Sequence, residues 1–146
     1  MSSSNLTAGH DDDEYNVPGT SISLKLVYWP DRDFNRGRLG YYIRQMQMEI
    51  KAHIETHGDG PLAHDPYSRE ADGFYFIASS APSPLVTKEG QHLTYMSLLK
   101  TLSGLFDVMY AWEKPWGAYV MVEDEDLGFL GTAVVLPGRY TSAEDE

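Results

Sequence analysis

The chain has 146 residues, a length that fits one domain with a single sizeable core. It contains no cysteine, which excludes disulfides, thiolate metal sites and cysteine nucleophiles. A formal charge of −11 disfavours binding to nucleic-acid backbones and to anionic membrane surfaces, because both repel an acidic protein.

Apolar residues make up 42% and aromatics 12%, too much for general disorder. Residues 1–19 are rich in Ser, Asp and Gly and read as a disordered acidic tail, with Asp11, Asp12, Asp13 and Glu14 as a charge run. Residues 1–7 have no basic stretch and no apolar core, so they read as neither a signal peptide nor a membrane span. The expected location is intracellular, in the cytoplasm. Residues 139–146 read as a second acidic tail, leaving 20–138 as the domain.

The first strand is expected over 21–29. Ile22, Leu24, Leu26 and Tyr28 alternate on one face, the period of a half-buried strand, and Pro30 is expected to end it. A helix follows over about 38–57, with Leu39, Ile43, Met46, Ile50, His53, Ile54 and His57 sharing one face at ~100° per residue. Residues 58–72 read as a long loop, a place where functional groups often sit. Residues 73–79 are apolar on both faces and read as a central strand. Residues 85–87 form a candidate short strand. The second helix is expected over about 95–112 with Thr94 as its N-cap. A hairpin pairing 118–122 with 129–136 completes the domain.

These elements predict an α+β two-layer sandwich. Its mixed sheet has four or five strands, with both helices on one face, in the order β-α-β-(β)-α-β-β that approaches a ferredoxin-like layout. The other sheet face is left uncovered, and Val27, Trp29, Tyr75, Ile77, Tyr119 and Met121 are expected to line it.

Leu93-Thr94-Tyr95, Gly104-Leu105, Val108-Met109-Tyr110, Trp116-Gly117 and Asp126-Leu127-Gly128 together form a pattern. In these positions the C-terminal third resembles small uncharacterised proteins of filamentous fungi. The resemblance implies a fungal source and carries no activity.

Few residues are placed for chemistry. His53 and His57 are one helical turn apart and His64 follows a Gly-rich turn, so the three are candidate ligands for a metal such as zinc. Glu55 lies about 180° from the line joining the two helical histidines and cannot act as a base there. The acidic hairpin tip 123–126 lacks the ligand spacing of a calcium loop and reads as a solvated turn. Ser79 and Ser80 near His92 lack a nucleophile-elbow motif. Gly37 and Gly40 enter a helix without a phosphate-loop lysine. The aromatic residues Trp29, Tyr41, Tyr75, Trp116 and Tyr119 are candidate ligand or interface groups, with Tyr41 more exposed than Tyr42.

The resulting expectation is a non-catalytic interaction or self-assembly domain, homo-oligomeric through the uncovered sheet face, with no cofactor. One alternative is a metal- or small-molecule-binding enzyme with a pocket near the 58–72 loop. Another is an acidic inhibitor of a basic nucleic-acid-binding protein.

Overall fold

The structure, a computed structural model, describes residues 12–138. Ten elements follow one another: strand β1 (Asp12–Asn16), strand β2 (Ile22–Asp33), helix α1 (Arg36–His57), strand β3 (Tyr67–Ala71), strand β4 (Phe74–Ser80), a 3₁₀ turn (Ser83–Leu85), helix α2 (Tyr95–Leu105), a π-helical segment (Phe106–Ala111), strand β5 (Trp116–Asp124) and strand β6 (Gly128–Leu136).

The six strands form one sheet in the order β1-β2-β5-β6-β4-β3, with every neighbouring pair antiparallel. The sheet is therefore not mixed, and it has more strands than the sequence pattern suggests. Each helix does connect two strands of the same direction. Those strands are never neighbours: β5, β6 and β4 lie between β2 and β3, which α1 connects, and β6 lies between β4 and β5, which α2 connects. This placement also sets the order apart from a ferredoxin-like one.

Alternation along the strands explains the single core. Ile22, Leu24, Leu26 and Tyr28 on β2, Phe74, Phe76 and Ala78 on β4, Ala118, Val120 and Val122 on β5, and Ala133 and Val135 on β6 are all buried beneath the helices. Leu39, Ile43, Met46 and Ile50 of α1 and Leu98, Leu102 and Leu105 of α2 close this layer from above. Each fully buried side chain of this size contributes about 1.5–3 kcal/mol.

The helix limits have local causes. The Asn35 side chain accepts a hydrogen bond from the Arg38 N–H at the start of α1, and Gly58 ends that helix at a φ of 80°. Thr94 and Ser97 form a reciprocal capping box on α2. Gly104 lets β2 and the segment after β1 approach the helix closely, since a Cβ there would lie 2.8 Å from both Leu24 and Val17.

Four expectations are corrected. Residues 12–16, assigned to the acidic tail, form edge strand β1. Its central carboxylate is held by partners distant in sequence: Asp13 accepts from the Tyr28 hydroxyl and the Lys114 ammonium, both at 2.8 Å. Residues 67–71, assigned to the long loop, form edge strand β3, whose Tyr67 packs edge-on against Phe76 and whose Arg69 pairs with Glu49 of α1. Residues 85–87 form no strand, because the 3₁₀ turn occupies Ser83–Leu85. Pro30 interrupts the register rather than ending β2, which continues past an irregularity between Trp29 and Asp33. The tail expected over 139–146 lies outside the described residues.

Candidate functional site

The sheet face turned away from the helices carries rows of side chains at matched register. Val27 on β2 pairs with Tyr119 on β5, Tyr119 with Val134 on β6, and Val134 with Ile77 on β4. One apolar row thus crosses four adjacent strands. A second row runs from Lys25 through Met121 and Thr132 to Ser79. Tyr75 pairs with Leu136 in a third, toward the end of the sheet that also holds Trp29.

Exposure separates the two faces. Val27 is 38% exposed, Trp29 37% and Tyr119 37%, whereas their inward-pointing neighbours Leu26, Tyr28, Ala118 and Val120 are all buried. Large side chains are thus left accessible across one continuous surface. At one end, Trp29, Asp31, Arg32 and Leu136 line a cleft of about 340 Å³. Its floor is open because Gly117 has no side chain: a Cβ there would lie 3.2–3.3 Å from Leu136, Arg32 and Trp29. At the other end, Lys25 and Glu123 form an ion pair at 3.7 Å.

The structure distributes the anticipated site residues unevenly. Trp29, Tyr75 and Tyr119 share the uncovered face with Val27, Ile77 and Met121. Trp116 does not join them. It follows the inward phase of Ala118 and Val120 and packs edge-on against buried Tyr28, with ring centroids 5.6 Å apart. Tyr41 is far away on α1, exposed and edge-on to Tyr42, which itself packs against Phe74. Leu136 and Val134 belong to the face but were not anticipated. The segment 133–136 is apolar without interruption, so no alternation marks which of its residues point outward.

His53, His57 and His64 do not gather into a metal centre among the described residues. His53 and His57 stack with centroids 4.7 Å apart, and His53 also lies against the Tyr95 ring at 3.9 Å. Rings stacked in this way offer faces to one another rather than converging lone pairs. His64 does not complete a set: among the described residues, no three His, Cys, Asp or Glu side chains come together to hold a metal ion.

The remaining polar motifs are structural. Ser80 accepts a hydrogen bond from the Leu93 N–H at 3.1 Å, and its own N–H donates to Asp65. His92 Nδ1 lies 3.0 Å from the Leu93 carbonyl. Gly40 brings α1 against the Tyr110 ring, where a Cβ would lie only 2.7 Å from that ring. Asp124 organises the hairpin tip by accepting from the Ser21 hydroxyl and the N–H groups of Asp126 and Leu127. Burial alone would raise its pKa. Those three hydrogen bonds, with the nearby Lys100 charge, hold it below the usual carboxylate range instead.

No protein-family model matches the chain, and neither the curated proteins nor the solved structures provide a similar one. Among the described residues, no helix is long and apolar enough to cross a membrane.

Proposed function

We propose that the chain is a non-catalytic assembly module that pairs with a second copy of itself through the uncovered sheet face. The observation that carries this reading is the row Val27–Tyr119–Val134–Ile77, apolar across four hydrogen-bonded strands and, among the described residues, covered by no helix. A face of this kind is stabilised when a second sheet packs on it at ~10 Å, the spacing of a β-sandwich. A twofold axis lets the patch meet its own image.

Local charge favours the same solution. The central row contains no ionisable carboxylate or ammonium, and Lys25 and Glu123 at its margin neutralise each other. The four central strands can therefore meet their image without burying unpaired charge, while Asp12, Glu14 and Glu70, which the register places on the same face of the two edge strands, remain at the rim. Four strands of about nine residues give a face of roughly 19 by 27 Å. That is at the lower end for a stable interface, so association depends on concentration.

The test is the oligomeric state of the wild-type chain and of Tyr119→Lys, read by sedimentation equilibrium over a wide concentration range. The wild type should shift from monomer to dimer. The variant should remain monomeric with an unchanged melting temperature, because Tyr119 contributes little to the buried core. A wild-type chain that stays monomeric up to ~1 mM refutes the reading.

A further inference from the structure

On the opposite side of the molecule, the groove between the two helices is electrostatically unlike the rest of the chain. It has a volume of about 370 Å³ and is lined by Arg44, Gln47, Met48 and Lys51 of α1 with Leu99 and Ser103 of α2. The lining holds two cations and no carboxylate, in a chain of formal charge −11. Most other basic side chains are engaged: Lys25, Arg38, Arg69 and Lys114 are ion-paired, and Arg36 donates to the Tyr110 carbonyl. Among the described residues, neither Arg44 nor Lys51 is ion-paired to a carboxylate.

Arg44 is also held in place. Its guanidinium lies over the Phe106 ring at 3.7 Å and donates to Gln47 Oε1 at 2.9 Å. Gln47 is buried and donates through Nε2 to Ser103 Oγ at 3.1 Å, and the Ser103 hydroxyl donates to the Leu99 carbonyl at 3.3 Å. This chain of bonds crosses from α1 to α2 and orients the cation before any ligand arrives. A guanidinium fixed in this way still has N–H groups to offer a carboxylate, and less freedom is lost when it binds one.

The spacing defines the ligand. Arg44 and Lys51 are seven residues apart, which places them on the same helix face about 10.5 Å apart along the axis. Met48, 64% exposed, lies between them and faces Leu99 across the groove. A peptide in the extended polyproline II conformation covers about the same distance in three residues at ~3.1 Å each, and its threefold repeat returns a side chain to the same face every third residue. We propose that this groove binds an extended acidic peptide segment of a partner protein, with two carboxylates three residues apart and apolar side chains between them. The trough is neither enclosed nor flat, which suits a passing chain better than a sequestered small molecule.

The test uses the full chain and a capped, dye-labelled peptide, Gly-Glu-Leu-Leu-Glu-Gly, with Gly-Gln-Leu-Leu-Gln-Gly and inorganic phosphate as controls. Fluorescence anisotropy should show saturable binding of the acidic peptide that weakens with salt, and little binding of its glutamine counterpart. Arg44→Gln combined with Lys51→Gln should weaken it by roughly 5- to 30-fold. Both side chains are exposed, so circular dichroism should show an unchanged fold. Amide shifts on adding the acidic peptide should be centred on α1 and α2, and Tyr119→Lys should leave its affinity intact. Equal binding of both peptides, phosphate competing as well as the peptide, or full affinity in the double variant would each overturn the proposal.

Discussion

The Tyr15 hydroxyl donates to the Asp107 carboxylate at 2.6 Å and thereby ties edge strand β1 to the π-helical segment, 92 residues further along the chain. The Trp112 ring stands edge-on to Tyr15 at 5.1 Å. A short, acidic strand at the edge of the sheet needs such anchors, since among the described residues its backbone pairs with a neighbour on one side only.

This contact makes the strand sensitive to high pH. The hydrogen bond to Asp107, with smaller effects from burial and from the Asp107 charge, pushes the Tyr15 pKa up to about 12 from its ordinary value near 10. The protonated phenol is therefore the form that the folded state favours. Its contribution is complete below pH ~10 and is lost as pH rises from there toward about 12. Tyr15→Phe should cost about 0.5–1 kcal/mol at neutral pH, a modest loss because the pair is solvent-screened. The difference between wild type and variant should vanish at the alkaline end. Urea melts of both proteins between neutral pH and pH ~12 would show this, and a difference independent of pH would contradict it.

At the hairpin tip the sign is reversed. Asp124 has a lowered pKa, so its contribution is present above the usual carboxylate range and is lost as pH falls through that range toward the folded value. Asp124→Ala should cost about 1 kcal/mol at neutral pH, discounted for solvent exposure, and should flatten the acid side of the stability profile. Thermal melts from neutral pH down to the acid limit provide the comparison. An equally steep acid loss in the variant would assign that loss to other carboxylates.

Gly131 is the least replaceable glycine in the sheet. A Cβ there would lie 2.3 Å from the Ser79 carbonyl oxygen, a backbone atom on the neighbouring strand β4. Gly131→Ala must separate β4 from β6, with an expected loss of about 2–4 kcal/mol or failure to fold. Gly128→Ala is the contrasting control. Space there is open, so only its positive φ of 86° resists the side chain, at roughly 1 kcal/mol. Chemical denaturation should rank the two variants in that order.

Salt distinguishes self-association from capture of a basic partner. Two copies of a −11 chain repel at long range, and screening at physiological ionic strength, with a Debye length of ~8 Å, reduces that repulsion. Dimerisation through the apolar face should therefore tighten as salt rises. Binding to a basic protein would weaken under the same change. Sedimentation at low and physiological salt reads the sign directly.

Long periodic segments were legible from the residues alone. The alternation of Ile22, Leu24, Leu26 and Tyr28, the stripe Leu39–Ile43–Met46–Ile50 and the capping role of Thr94 each depend on neighbours within a few positions. The outward phase of Val27, Trp29, Tyr75 and Tyr119 followed from the same period of two. The edge strands were not legible. Asp12–Asn16 and Tyr67–Ala71 are short and polar, and they exist as strands because Tyr28, Lys114, Asp107, Phe76 and Glu49, all distant in sequence, satisfy their side chains. Strand order was also a tertiary matter, because local pattern sets which face is buried but not which strand lies beside it. Tertiary structure alone stacked His53 on His57 and Tyr95 rather than around a metal, turned Trp116 inward, and placed Arg44 and Lys51 along one groove without a carboxylate. Sequence periodicity determined that this protein has a helix-covered face and an open one. Packing between distant segments decided which side chains meet on each, since the contacts that fix them lie beyond the few residues over which local propensity acts.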